Sequence, residues 1–300
     1  MKPTIACLLC LLLSSQTALA QDAPAATYRS QAEILASSPS GDWRTPDPAN
    51  LLLMDLPAGR VIIELAPAFA PRHVDNIRTM AREHFWDNTS IYRVQDNFVV
   101  QFGDPDAKDP AKAKALGSAK RHLPAEFQRA AAGLTFTALP DADGWAPQAG
   151  FVDGFPVAED PATGKAWLVH CYGTVGAGRE NPDDSSIGDE LYAIIGHAPR
   201  RLDANLSVVG RVLQGMELLS AVRRGTGPRG GYKTPAERTP IHSIRLASEL
   251  PESERPKLQV LRTDSATFQE YVASQRLRTD AFYKRPAGRV EVCSISAPVR

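Results

Sequence analysis

Ser90-Ile91-Tyr92-Arg93-Val94-Gln95-Asp96-Asn97-Phe98-Val99-Val100-Gln101-Phe102-Gly103-Asp104 is the stretch that decides the fold. Two runs of β-branched and aromatic residues flank a polar Gln95-Asp96-Asn97, the pattern of a hairpin or of two consecutive sheet strands. One cation, Arg93, and one amide, Gln101, sit inside the apolar runs, and alternation puts both on one face with Phe98 or its neighbours. An unpaired Arg is costly to bury. Local pattern alone therefore favours a strand-edge Arg93 that reaches solvent along its stem.

Working outward, Gly59-Arg60-Val61-Ile62-Ile63-Glu64-Leu65, Ala70-Pro71 and Val74-Asp75-Asn76 lie upstream. Leu202-Asp203, Val208-Val209-Gly210-Arg211-Val212 and Gly215-Met216 lie downstream. With Arg93, Val94, Phe98, Gln101, Gly103 and Asp104, these segments resemble the signature of cyclophilin-type peptidyl-prolyl isomerases. The resemblance runs from about Leu51 to Ala247 around a divergent middle. It implies a mainly β fold, a closed antiparallel barrel with about two flanking helices.

The first twenty residues read as a secretory signal: Lys2, an apolar run from Ile5 to Leu13 too short to span a bilayer, and Ala18-Leu19-Ala20 as the cleavage site. Export, to a periplasm, is the expectation. Cys7 and Cys10 leave with the signal and sit in no lipoprotein box. Cys171 and Cys293 then remain, either as a disulfide, which an oxidising compartment permits, or as two separate buried thiols. His170 beside Cys171 suggests a nucleophilic thiol, but no C-x-x-C or third group supports one. The chain carries 34 basic and 34 acidic residues, which leaves no basic field for nucleic acid. No later stretch has the length of a membrane span, and a monomer is expected.

Residues 21–50 are an Ala-, Ser- and Pro-rich leader with Ile34-Leu35 on a short helical turn and Trp43 docked. Residues 51–247 form the barrel domain, with strands at Leu51–Leu56 and Arg60–Leu65. A helix opens at Pro71 and turns Val74, Ile77 and Ala81 inward. His73 and His84 read as surface residues. About 105–165 is an insertion over the core, and its Asp141-Ala142-Asp143-Gly144 is a plain turn rather than a calcium loop. Gly176-Ala177-Gly178 lacks the third glycine of a dinucleotide fingerprint, and Gly227–Thr234 has Tyr232 where a phosphate loop needs Gly. Residues 248–300 extend past the barrel and are expected to pack on it. They read as a helix over about 265–282 and an alternating strand, Val290–Ile295, that covers a barrel edge.

The chemistry that the resemblance implies needs no cofactor and no metal. The X–Pro amide resists rotation by about 18–20 kcal/mol. A groove that holds proline, and a fixed cation that donates to the pyramidal nitrogen of the twisted amide, lower that barrier. Carried over by position, Arg93 is the catalytic donor. Phe98 and Val99 open the proline pocket, and Gln101 orients Arg93 or binds peptide backbone. Tyr192 and Leu202 stand at pocket positions, and Gly178 and Arg179 form the groove edge. Some positions depart from the pattern. Tyr92 replaces a His, Glu190 a peptide-contacting Gln, Arg201 a rim Trp, and Leu206 a pocket His. A carboxylate at Glu190 is expected to compete for Arg93. Two functions follow: an isomerase acting on proline-containing polypeptides, assisting folding of exported proteins, or a non-catalytic module that binds such segments without turning them over.

Overall fold

The computed structural model describes residues 28–107, 109, 111–278 and 282–300. The signal-like stretch Met1–Ala20 lies outside them. Nine antiparallel strands form the main sheet, in the spatial order 239–241, 89–95, 99–103, 191–194, 174–177, 208–214, 59–65, 51–56, 243–246. One segment closes it. Thr239–Ile241 pairs with the Thr89–Gln95 strand at one edge, and Ser243–Leu246 pairs with Leu51–Leu56 at the other. His242, between them, donates its backbone N–H to Asp55 O at 2.9 Å. Changing partner at one residue removes both open edges.

Alternation decides the two faces of the barrel. Leu52, Met54, Val61, Ile63, Val100, Phe102, Leu191 and Ala193 point inward into one buried cluster. The helix Pro71–Arg82 joins that cluster through Val74, Ile77, Met80 and Ala81, followed by Phe85 and Trp86. Pro71–Arg82 and Met216–Ala221 are the two helices expected to flank the barrel; Gln31–Ala36 of the leader and Ala266–Arg276 of the extension bring the α-helices among the described residues to four.

The insertion builds a sheet of its own, five antiparallel strands in the order 129–130, 165–168, 155–160, 148–152, 137–138. Trp43–Arg44 of the leader pairs with Val260–Leu261 of the extension. Trp43, Phe151, Trp167, Phe268, Val272, Val292 and Ile295 then share a second buried cluster that draws on leader, insertion and extension. Leu250 and Leu258 instead pack with Leu51, Leu53 and Ile62 on the barrel's outside. The extension thus meets the barrel with its first residues and the insertion's sheet with the rest. Cys171 and Cys293 are joined by a disulfide. Glu64 of the barrel accepts from Arg211 Nη2 at 3.1 Å and Arg44 Nη1 at 2.6 Å, and Arg44 Nη2 reaches Asp153 O of the insertion at 2.5 Å.

Three readings are corrected. Val290–Ile295 is not a strand covering a barrel edge. Val290, Val292 and Ile295 are buried, so the alternation breaks after Val292, where a 3-10 turn, Val292–Ser294, intervenes; both barrel edges are already paired. The last helix ends at Arg276, where Gly288 N–H closes on the Arg276 carbonyl at 3.0 Å. His73 is fully buried, with its backbone N–H and Nδ1 on Glu126 Oε2 at 3.0 and 2.7 Å. Glu126 also accepts from Arg72 N–H at 3.0 Å. It thereby caps a helix whose own preceding residue, Ala70, offers no side-chain cap. His84, by contrast, is exposed.

Candidate active site

The site is a row of side chains across the barrel's outer face. Arg93 stands opposite Gln101, Gln101 opposite Tyr192, and Tyr192 opposite Gly176. A bulge between Ile91 and Arg93 makes this register possible, leaving Ile91 in the core and Arg93 outside. Gly176 has a steric reason: a Cβ there would lie 2.2 Å from the Tyr192 hydroxyl.

Arg93 does not simply reach solvent, as local pattern suggests. It is partly buried, and every nitrogen is held: Nε–H on Arg229 O at 2.8 Å, Nη1–H on Gln101 Oε1 at 2.7 Å, Nη2–H on Gln95 Oε1 at 2.5 Å. A guanidinium has five N–H groups. One on each Nη stays available to a ligand. Burial draws its pKa below the ordinary value, the nearby Tyr92 and Glu190 oppose this, and an arginine so placed stays charged. Arg229 and Gln95 are the partners that sequence reasoning missed. The loop carrying Arg229 crosses the strand at Val94 and Gln95, and Gly225 donates to Val94 O at 2.9 Å. At Gly230 a Cβ would lie 2.6 Å from Gln95 Cα, so only glycine allows this approach. The glycine run that fails as a phosphate loop therefore serves to hold Arg93.

Glu190 does not take Arg93. Its carboxylate accepts from Gln101 Nε2, so the order is Glu190, Gln101, Arg93, with the amide fixed between the two charges. Gly103 permits this, since a Cβ there would meet Asp189 O at 2.5 Å. The Tyr92 hydroxyl is buried beside the Glu190 carboxylate, and burial first, then that charge, raises its pKa.

Phe98, Val99, Tyr192, Ile194 and Leu206 make a separate apolar cluster on this face, with Phe98 and Leu206 partly exposed. The Arg93 guanidinium lies 5.7 Å from the Phe98 ring centre and that of Arg201 5.4 Å. Leu202 lies outside that cluster, at the end of the turn Arg200–Leu202. Gly178 donates its N–H to Glu190 O at 2.8 Å. Arg179 is turned away, its Nε–H on Asn205 O at 3.0 Å and its Nη1–H on Glu180 O at 2.8 Å. Asp104 is structural. It accepts from Asp106 N–H at 3.0 Å and Lys114 N–H at 2.7 Å, folding the start of the insertion back on itself. No group of three or more His, Cys, Asp or Glu that could hold a metal occurs among the described residues. None of the described helices is long and apolar enough to cross a membrane.

The family model for cyclophilin type peptidyl-prolyl cis-trans isomerases matches residues 51–246. The chain belongs to that family. A probable peptidyl-prolyl cis-trans isomerase of Brucella suis is 27% identical over 197 residues, covering 63% of this chain and 80% of its own. The crystal structure of cyclophilin AquaCyp293 from Hirschia baltica is 26% identical, with a TM-score of 0.69, over 91% of this chain and 98% of that one. The likeness to the Hirschia protein thus extends well beyond the barrel.

Proposed function

We propose that this chain, an isomerase by family, rotates X–Pro bonds in polypeptides that have left the cytoplasm. Arg93 is the donor to the proline nitrogen, and Phe98, Val99, Tyr192 and Leu206 receive the proline ring. The observation that carries the reading is the threefold hold on a partly buried Arg93 beside that apolar cluster. A preorganised cation meets the developing lone pair without rearrangement, so its interaction is stronger in the twisted amide than in the planar one. The main chain at Gly178 and the Gln101 amide align the peptide. Arg179 holds the Asn205 carbonyl, next in the chain to Leu206 of the pocket.

Export is supported by the Met1–Ala20 stretch and by the disulfide, which persists in an oxidising compartment. The test is catalysed isomerisation of an Ala-Pro peptide by the mature protein and by Arg93→Ala, with melts to show that both are folded. Activity in the first and loss in the second support the reading. Equal activity removes Arg93 from the mechanism. A wild type that binds proline peptides without turnover is a binding module instead. Mass spectrometry of exported protein beginning at Gln21 supports export; retention of Leu8–Leu13 refutes cleavage.

A further inference from the structure

Tyr192 is the one wall of the proline cluster that carries a polar atom, and that atom points away from solvent. Its hydroxyl meets His170 Nε2 at 2.9 Å, and His170 is fully buried. Asp203 Oδ1 accepts both the backbone N–H and Nδ1–H of His170, each at 3.0 Å. With Nδ1 protonated toward the carboxylate, Nε2 is the acceptor and the Tyr192 O–H the donor. Asp203 Oδ2 is occupied by Arg200 Nε–H at 2.5 Å. Arg200 in turn is held in bidentate fashion by Asp143 of the insertion, at 2.9 and 3.0 Å. The chain of contacts runs from the pocket wall to the insertion's turn without a solvent-exposed member.

We infer that His170 and Asp203 are positioning residues for the proline pocket: they lock the Tyr192 ring through its hydroxyl and so set affinity for the proline segment. None of them touches Arg93, whose hold comes from Gln95, Gln101 and Arg229. The relay therefore governs binding, and the donor governs turnover. Burial, helped by the Asp203 charge, raises the Tyr192 pKa, so the hydroxyl keeps the proton it donates. The inference rests on the isomerase reading only for its kinetic arm.

A double-mutant cycle of His170→Ala and Tyr192→Phe tests it, read in KM and kcat for Ala-Pro peptide isomerisation and in Kd by calorimetry. Each single change should raise KM and Kd about fivefold to tenfold, the range of a lost buried hydrogen bond, with kcat within about twofold. The double variant should be no worse than the weaker single, because the lock is absent once either partner is gone. Costs that multiply, or a fall in kcat at unchanged KM, overturn the relay. Tyr192→Phe keeps the ring volume, so if His170→Ala does not fold, an unchanged Kd in Tyr192→Phe alone is enough to overturn it. A wild type that binds without turnover refutes the isomerase reading, and the cycle in Kd still decides the relay. A wild type that binds no proline peptide overturns both.

Discussion

The barrel and the layer beside it are built on opposite plans. The barrel's core follows from alternation within each strand, a local pattern that holds even where paired strands lie far apart in sequence. The outer layer gathers Trp43, Phe151, Phe268 and Val292 from the leader, the insertion and the extension. No one of these segments supplies that cluster by itself. Together they do, and a disulfide spanning 122 residues ties them. The candidate site lies on the barrel's outer face, and its far wall is braced from the layer through Arg200 and Asp143. The difference suggests a division of labour: the barrel supplies the chemistry, and the added layer fixes the pocket.

The largest expected effect separates the two. Removing the disulfide with Cys171→Ser and Cys293→Ser releases a closed loop worth up to about 5 kcal/mol in the chain-entropy model, with about 2–5 typical of native bridges. Denaturant unfolding should show that loss. Turnover at a temperature where the protein stays folded should fall no more than severalfold, since no member of the Arg93 hold lies in the layer. Collapse of kcat in the folded variant would erase the distinction between chemistry and brace.

Next comes Arg93. Loss of one preorganised donor costs about 10²–10³ in turnover. Arg93→Ala should show that drop with a melting temperature close to wild type. Arg93→Lys should recover little, because one mobile ammonium cannot occupy the three positions that Gln95, Gln101 and Arg229 define. Full rescue by Lys would mean that charge alone suffices.

What was legible follows the same division. The hairpin around Gln95-Asp96-Asn97 and the inward Val74, Ile77 and Ala81 are local patterns, and each is present. Local pattern alone leaves Arg93 at the solvent because one of its three partners is a carbonyl 136 residues away. His73 was misjudged because Glu126 lies 53 residues off. Val290-Glu291-Val292 alternates as a strand does before Ser294 and Ile295 break the pattern, and nothing within the segment reveals that the barrel edges are taken. The glycines were the clearest missed signal. Gly176, Gly225 and Gly230 each mark a close approach at the site, which neither a dinucleotide fingerprint nor a phosphate-loop pattern brings out.

Asp189 gives a smaller effect with a defined sign. Burial, then the neighbouring Glu190 charge, raises its pKa from 3.8 to about 6. The folded state therefore holds a proton that the unfolded state gives up between about pH 4 and 6. Stability from this group is full below pH 4 and falls as pH rises through 6. The full loss is at most about 3 kcal/mol for a shift of this size. Asp189→Asn should match wild type at pH 4 and exceed it at pH 8 in thermal melts. A variant no more stable at pH 8 would show that Asp189 ionises without cost.

The smallest effect concerns the rim. Arg201 is exposed, and its guanidinium lies 5.4 Å from the Phe98 ring centre, on a ring that also faces Arg93 at 5.7 Å. A cation over an aromatic face contributes about 0.5–1 kcal/mol at an exposed site. Phe98 keeps its packing against the apolar cluster when Arg201 is removed, so the pocket should persist with a looser outer wall. Arg201→Ala should raise KM about twofold to fivefold and leave kcat unchanged, because Arg93 keeps all three of its partners. Added salt should narrow the gap to wild type only partly, since ring contact is screened less than a free surface charge. Loss of kcat instead would mean that Arg201 acts on the reacting amide. The boundary between donor and rim would then have to move outward to include it.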